Sequence, residues 1–202
     1  MQFSDTAGYE QLADVIRAYA AENPADEWLH GAGLRYNAGP GATPLNRRHL
    51  DAVVADRPIY INSYDGHTSW ANTRALELAG IFYGGKSGPN SEIVLDERGE
   101  ATGELRESGA FTPVSRLVPQ PDEARKMALL RKALQQTAAF GITSVHNMDG
   151  NAEQAAIYSG LAQRGELTCR IYIPYSVTPE TPFLALGREA LALKEAYNAD
   201  EA

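Results

Sequence analysis

The stretch Asp65-Gly66-His67-Thr68-Ser69-Trp70-Ala71-Asn72 sets an acid, an imidazole, an indole and an amide on one turn opened by glycine, just before a predicted helix. Gly66 permits a backbone conformation closed to other residues, so its neighbours can be turned outward toward a ligand. His67 could donate to a substrate carbonyl or steady a metal-bound water. Trp70 offers a flat apolar wall with one N–H donor. The same residues also have a plain structural use, in which Asp65 or Asn72 caps the helix and Trp70 anchors a small core. Both uses fit the sequence. Two other positions raise the same pair of readings. His146-Asn147 ends a predicted parallel strand and could face a ligand, or the ring could be satisfied by nearby backbone. Arg106-Glu107 reads as the start of a helix, where a glutamate is favoured by the dipole and solvated, and Glu104, alternating with it, faces solvent. His30, Tyr36 and Asn37 could touch a ligand, but their spacing carries no signature.

The elements that must hold these side chains follow from periodicity. Tyr9, Leu12, Ala13, Ile16, Tyr19 and Ala20 make one apolar stripe, which predicts a helix from Thr6 to Ala21 ended by Asn23-Pro24. A short strand at Trp28-Leu29 runs into a flexible glycine-rich region from Gly31 to Gly41. Between Pro44 and Pro119 the elements are short: a helical turn near Arg47 to Val54, a strand Ile59 to Asn62, a helix Asn72 to Ala79, and strands Ile93 to Leu95 and Ala101 to Leu105 joined by a hairpin. Beyond Pro119 they lengthen. A helix opens at Pro121-Asp122-Glu123 with Met127, Leu130, Leu134 and Ala138 on its buried stripe, and Gly141 sits at a left-handed cap position. Strand Thr143 to Asn147, helix Glu153 to Arg164 and strand Thr168 to Ile173 compose a βαβ unit with parallel strands. A last helix is read near Leu184 to Tyr197.

Four of these segments, taken in order, resemble family-3 amidohydrolases, the metal-dependent hydrolases related to N-substituted formamide deformylase. Trp28-Leu29-His30-Gly31-Ala32-Gly33 is similar to the family's "W-x-x-G-x-G". Asp65 to Leu76 resembles its Asp-Gly-His turn and helix, Gly99 to Glu107 its "G-x-x-T-G-x-L-R-E", and Gly141 to His146 its "G-I-T-S/T-V-H" strand. The resemblance implies an α/β fold: a partial (β/α) TIM-barrel-like segment carrying a small inserted α+β subdomain. Residues 1–43 would be a barrel-derived helix, strand and loop, 44–119 the insertion, and 120–202 a βαβ barrel segment. It implies a hydrolase acting on amide-like carbon–nitrogen bonds other than peptide bonds, with a divalent metal, zinc foremost, that activates water. In those terms His67 and His146 are candidates for catalysis, since barrel enzymes place their sites at the carboxyl ends of strands. Asp65, Trp70 and Asn147 are candidates for substrate contact. Glu107 is the candidate metal ligand, a carboxylate doing the work a carboxylated lysine does in other amidohydrolases.

The family also opens with a His-x-His pair and later supplies further histidines and an aspartate. The four histidines of this chain, His30, His49, His67 and His146, include no such pair. The chain thus reads as an internal piece of a longer enzyme, expected to be inert alone and to hold no stoichiometric zinc. A non-catalytic binding or oligomerisation domain is the alternative. An incomplete barrel would leave strand edges uncovered, so a homo-oligomer is expected.

Composition bounds the remaining classes. With 18 Lys and Arg against 26 Asp and Glu, a net charge of −8 argues against a nucleic-acid surface, and the partner that the resemblance implies is a small amide-like molecule. Cys169 is the single cysteine and reads as a buried thiol, so no internal disulfide is possible. No apolar run approaches the ~18 residues of a membrane helix, and the first residues lack the basic start of a signal peptide; a cytoplasmic protein without membrane partners is expected.

Overall fold

Leu12, Ala13, Ile16 and Ala20 recur at helical spacing, and helix α1 (Tyr9–Glu22) turns all four into a core. A computed structural model of the chain describes residues 1–3, 8–148, 150–177 and 181–198. Thr6, the expected helix start, lies outside the described residues. The chain divides into two compact units, Met1–Gln120 and Pro121–Ala202.

The first unit is built on a mixed sheet in the order β1-β2-β3-β5-β4. Strands β1 (Leu29–Leu34) and β2 (Ile59–Ser63) are parallel. Strand β3 (Thr68–Ala71) runs against β2, β5 (Ala101–Arg106) against β3, and β4 (Glu92–Leu95) against β5. Because β3 opposes both β2 and β5, strands β1, β2 and β5 all finish at one edge of the sheet, and β3 begins there.

Alternation along the strands splits the unit's apolar residues between two faces. Ile59, Ile61 and Trp70 join Leu12, Ile16 of α1 and Leu50 of α2 (Arg47–Asp51) in one core. Tyr60, Ala71 and Leu105 join Leu76 of α3 (Thr73–Leu78) and Ala110 and Val114 of α4 (Ser108–Ser115) in the other. Helices thus cover both sides of the sheet.

Three expectations are corrected. The line at residues 43/44 is not a structural division, because Leu29, His30 and Gly31 of β1 pair with Ile59, Tyr60 and Ile61 of β2. The region from Gly31 is not a loop until after Leu34: Gly31 pairs with Ile61 of β2, and Phe3 packs so closely on it that a Cβ would come within 2.3 Å of the ring. Residues 68–71 form a strand rather than part of a turn. All four are buried, so no polar/apolar alternation marks them in the sequence.

In the second unit, α5 (Glu123–Ala139) starts at Asp122, whose carboxylate accepts from the Arg125 N–H at 2.7 Å. Strand β6 (Ser144–His146), helix α6 (Ala152–Gln163) and strand β7 (Arg170–Tyr172) follow, with β6 and β7 parallel, and then α7 (Phe183–Tyr197). Leu134, Leu161 and Cys169 form its small core, flanked by Met127 and Leu130. Ala138, expected on the buried stripe, is exposed, since this core reaches no further along α5 than Leu134. No closed barrel forms among the described residues, and none of their helices is long and apolar enough to cross a membrane.

Candidate functional site

Strand β2 ends at Ser63 and β3 begins at Thr68, so Tyr64-Asp65-Gly66-His67 must reverse the chain between them. Gly66 takes φ 77°, the left-handed conformation the turn requires. The Ser63 hydroxyl donates to Asp65 Oδ1 at 2.6 Å and accepts from the Thr68 N–H at 3.0 Å, while the His67 N–H donates to Asp65 Oδ1 at 3.2 Å. From the segment after β1, the Tyr36 hydroxyl reaches the same carboxylate, 3.2 Å from each oxygen. These donors, the Ser63 hydroxyl foremost, hold the Asp65 carboxyl below the usual carboxylate range. Asp65 therefore fastens the turn and does not cap α3. Asn72 caps it, its Oδ1 accepting from the Ala75 N–H at 3.0 Å.

The turn's open side meets Glu107, the residue that follows β5. His67 Nδ1 lies 3.2 and 3.3 Å from the two carboxylate oxygens of Glu107, and the Glu107 N–H donates to the His67 carbonyl at 2.8 Å. The hydrogen bond to Glu107 and its charge raise the His67 pKa above the ordinary imidazole value. Both side chains are exposed, so the pair is a contact open to a ligand more than a source of stability. Glu107 stands at the N-cap position of α4 with φ 64° and ψ 164°, a region open essentially only to glycine, which costs on the order of 1–3 kcal/mol. Its side chain makes no capping bond. The helix start gains nothing evident from a glutamate in that conformation, whereas His67 gains a partner.

The other candidates divide. Trp70 is 2% exposed and packs in the core, meeting Tyr36 edge to face at 5.6 Å, so it supports the site from beneath instead of walling it. His30 stacks on Tyr60 at 5.7 Å. His146 and Asn147 belong to the second unit. The His146 ring lies 4.9 Å from that of Tyr172, and Asn147 Nδ2 donates to Gln154 Oε1 at 3.0 Å and to the Tyr158 hydroxyl at 2.9 Å, tying the end of β6 to α6. Ser63, Tyr64 and Arg35 were not singled out in the sequence. Ser63 and Asp65, two residues apart beside a glycine, form a turn pattern that a search for side-chain-to-backbone bonds would have found.

Among the described residues no three His, Cys, Asp or Glu side chains converge. One imidazole and one carboxylate bonded to each other fall short of the three or more protein ligands of a hydrolytic metal, so these residues alone do not make a metal site.

Several known proteins are similar to the chain. An N-substituted formamide deformylase of Arthrobacter pascens is 25% identical over 164 residues, which is 80% of this chain and 30% of that protein. The Bacillus subtilis (strain 168) protein YtcJ, named as an amidohydrolase, is 29% identical over 149 residues, 74% of this chain and 28% of that protein. The chain thus spans about 30% of the length of these relatives. Among solved structures, an uncharacterized metal-dependent hydrolase of Pyrococcus horikoshii OT3 shares the fold at a TM-score of 0.54 and 19% identity over 94% of this chain and 34% of its own. Another from Pyrococcus furiosus does so at 0.50 and 17%, over 85% and 33%. The model of the amidohydrolase family matches residues 2–198, nearly the whole sequence, and the chain belongs to that family.

Proposed function

We propose that the whole protein hydrolyses an amide-like carbon–nitrogen bond, other than a peptide bond, in a small molecule, using a divalent metal for which zinc is the expected ion. This segment contributes an acid–base group to that site. Membership of the amidohydrolase family supports the reaction class, and the deformylase among the relatives is named for such a bond. The observation that carries the segment's own role is the His67–Glu107 pair at the edge where β1, β2 and β5 finish. With Nδ1–H given to Glu107, the ring presents Nε2 outward, where it can take a proton from a nucleophile or return one to a leaving amine. The raised pKa keeps a larger share of the ring protonated near neutrality, which suits the second task. The metal supplies an activated water, and Glu107 is also our candidate for its coordination, together with ligands beyond the described residues. The isolated chain is accordingly proposed to be inert.

The test uses the longer protein. His67→Ala should lower turnover about 10²- to 10⁴-fold with metal content retained. Glu107→Gln should lower metal content and turnover together. An unchanged rate in His67→Ala would overturn the acid–base role. An unchanged rate and metal content in Glu107→Gln would reduce Glu107 to a solvated residue at a helix start. Wild-type behaviour of both variants would favour a segment that only binds or oligomerises.

A further inference from the structure

Arg35 and Tyr36 leave the end of β1, and Tyr64 and Asp65 leave the end of β2, its parallel neighbour, with Leu34 opposite Ser63. The two exits therefore lie side by side, and their side chains interlock. The Arg35 guanidinium carbon sits 5.9 Å from the centre of the Tyr64 ring, and Tyr64 meets Tyr36 edge to face at 6.2 Å. Tyr36 is braced from behind by Trp70 at 5.6 Å and held at its hydroxyl by Asp65. Despite this bracing the rings stay open to solvent, Tyr64 by 63% and Tyr36 by 46%.

Arg35 is the part of this cluster with capacity to spare. A cation–π contact with Tyr64 at 5.9 Å is an attraction of charge to ring and uses none of the guanidinium's N–H donors. Among the described residues no carboxylate or carbonyl takes them, whereas Arg47 donates to Ala101 O and Glu100, and Arg106 donates to Glu104 and Glu92. An exposed guanidinium beside an aromatic ring, with its N–H donors unpaired among the described residues, matches a carboxylate, to which it can donate two parallel bonds. The adjoining tyrosine rings match an apolar planar group in edge or offset contact. Asp65 is engaged by the Tyr36 hydroxyl and the His67 N–H, and Glu107 by the His67 ring, so of the charged groups named here Arg35 is the one that attracts a carboxylate.

We propose that Arg35, Tyr36 and Tyr64 form a specificity subsite for an aromatic carboxylate carried by the substrate. The claim that the bound group is part of a substrate rests on the hydrolase reading above; the binding itself does not.

Binding of benzoate to the 202-residue chain, followed by NMR including the arginine side-chain N–H signals, tests it. Saturable binding is expected, weakened about tenfold in Arg35→Ala and in wild type when uncharged benzamide replaces benzoate. Tyr64→Leu should weaken it roughly threefold, with cyclohexanecarboxylate losing little further on that variant. Both positions are exposed, and backbone spectra of each variant serve as the check that it keeps its fold. No saturable benzoate binding in wild type, or binding unchanged in Arg35→Ala, overturns the subsite. If benzoate binding depends on Arg35 while His67→Ala in the longer protein keeps its rate, the subsite stands and the acid–base role falls. The opposite pair of results separates them the other way.

Discussion

If Glu107 is held in a costly backbone conformation for the sake of His67, removing its side chain should expose that cost. Glu107→Ala and Glu107→Gly both abolish the contact between His67 Nδ1 and the carboxylate, and both keep the Glu107 N–H that donates to the His67 carbonyl. They differ in what the backbone tolerates. Alanine at φ 64° and ψ 164° stays strained, and glycine adopts these angles freely. The relief is about 1–3 kcal/mol. The greater freedom of glycine in the unfolded chain takes back about 0.4–1 kcal/mol. Glycine should therefore leave the first unit about 1 kcal/mol more stable than alanine does, whereas at an ordinary helical or strand position it would be less stable by about 0.5–1 kcal/mol. Trp28 and Trp70, the chain's two tryptophans, both lie in the first unit, so fluorescence-detected urea or thermal unfolding reports on that unit. A rise of about 4 °C in Tm of the glycine variant over the alanine variant is expected. A glycine variant less stable than the alanine one would refute the strain, and with it the argument that Glu107 is kept there for function.

Three further outcomes are expected. By NMR titration His67 should lose its proton above the ordinary imidazole value in the intact chain and near it in Glu107→Gln; identical titrations would remove Glu107 as its partner. Because the folded-state pKa is the raised one, the contact's contribution to stability is complete below the unfolded value and is lost as pH rises through the folded value, so the stability gap between wild type and Glu107→Gln should close on the alkaline side. Asn72→Ala should cost the first unit about 2–4 kcal/mol, read as a lower urea midpoint at unchanged m. Fully buried Asn72 accepts from the Ile59 and Ala75 N–H groups and donates to the Val54 and Arg57 carbonyls, and a loss under about 0.5 kcal/mol would show that water replaces it. The two-stranded sheet of the second unit has two outer edges, and Tyr172, Phe140, Phe183 and Leu184 are exposed in that unit, so light scattering should find association between copies. A monomer throughout the micromolar range would count against it.

What was legible in the sequence is what local chemistry decides. The stripe of α1, the Asn72 cap and the parallel β6–β7 pair each declare themselves within a short window of residues. So does the β4–β5 hairpin, whose turn Asp96 closes by accepting from the Arg98 N–H at 2.9 Å and the Glu100 N–H at 3.1 Å. β3 was not legible, because a strand buried on both faces has no alternation to read. Its loss hid the site as well. Without β3 the Asp65-Gly66-His67 turn leads straight into a helix, and nothing brings Glu107, 40 residues on, beside His67.

The site depends on a sheet register that no single segment contains. Thr68 pairs with Arg106, which sets the residue before Thr68 beside the residue after Arg106. These are His67 and Glu107, the last residue of one turn and the first beyond a strand. A one-residue slip in that pairing would send every side chain of β3 to the opposite face and take Trp70 out of its core, so the burial of Trp70 enforces the register that aligns the pair. Tyr36 closes the same arrangement from β1, with its ring against Trp70 and its hydroxyl on Asp65. The exposed polar groups are thus fixed by the apolar residue beneath them. Replacing Trp70 by a small residue should loosen His67, Asp65 and Tyr36 together, although Trp70 itself has almost no surface with which to touch a ligand.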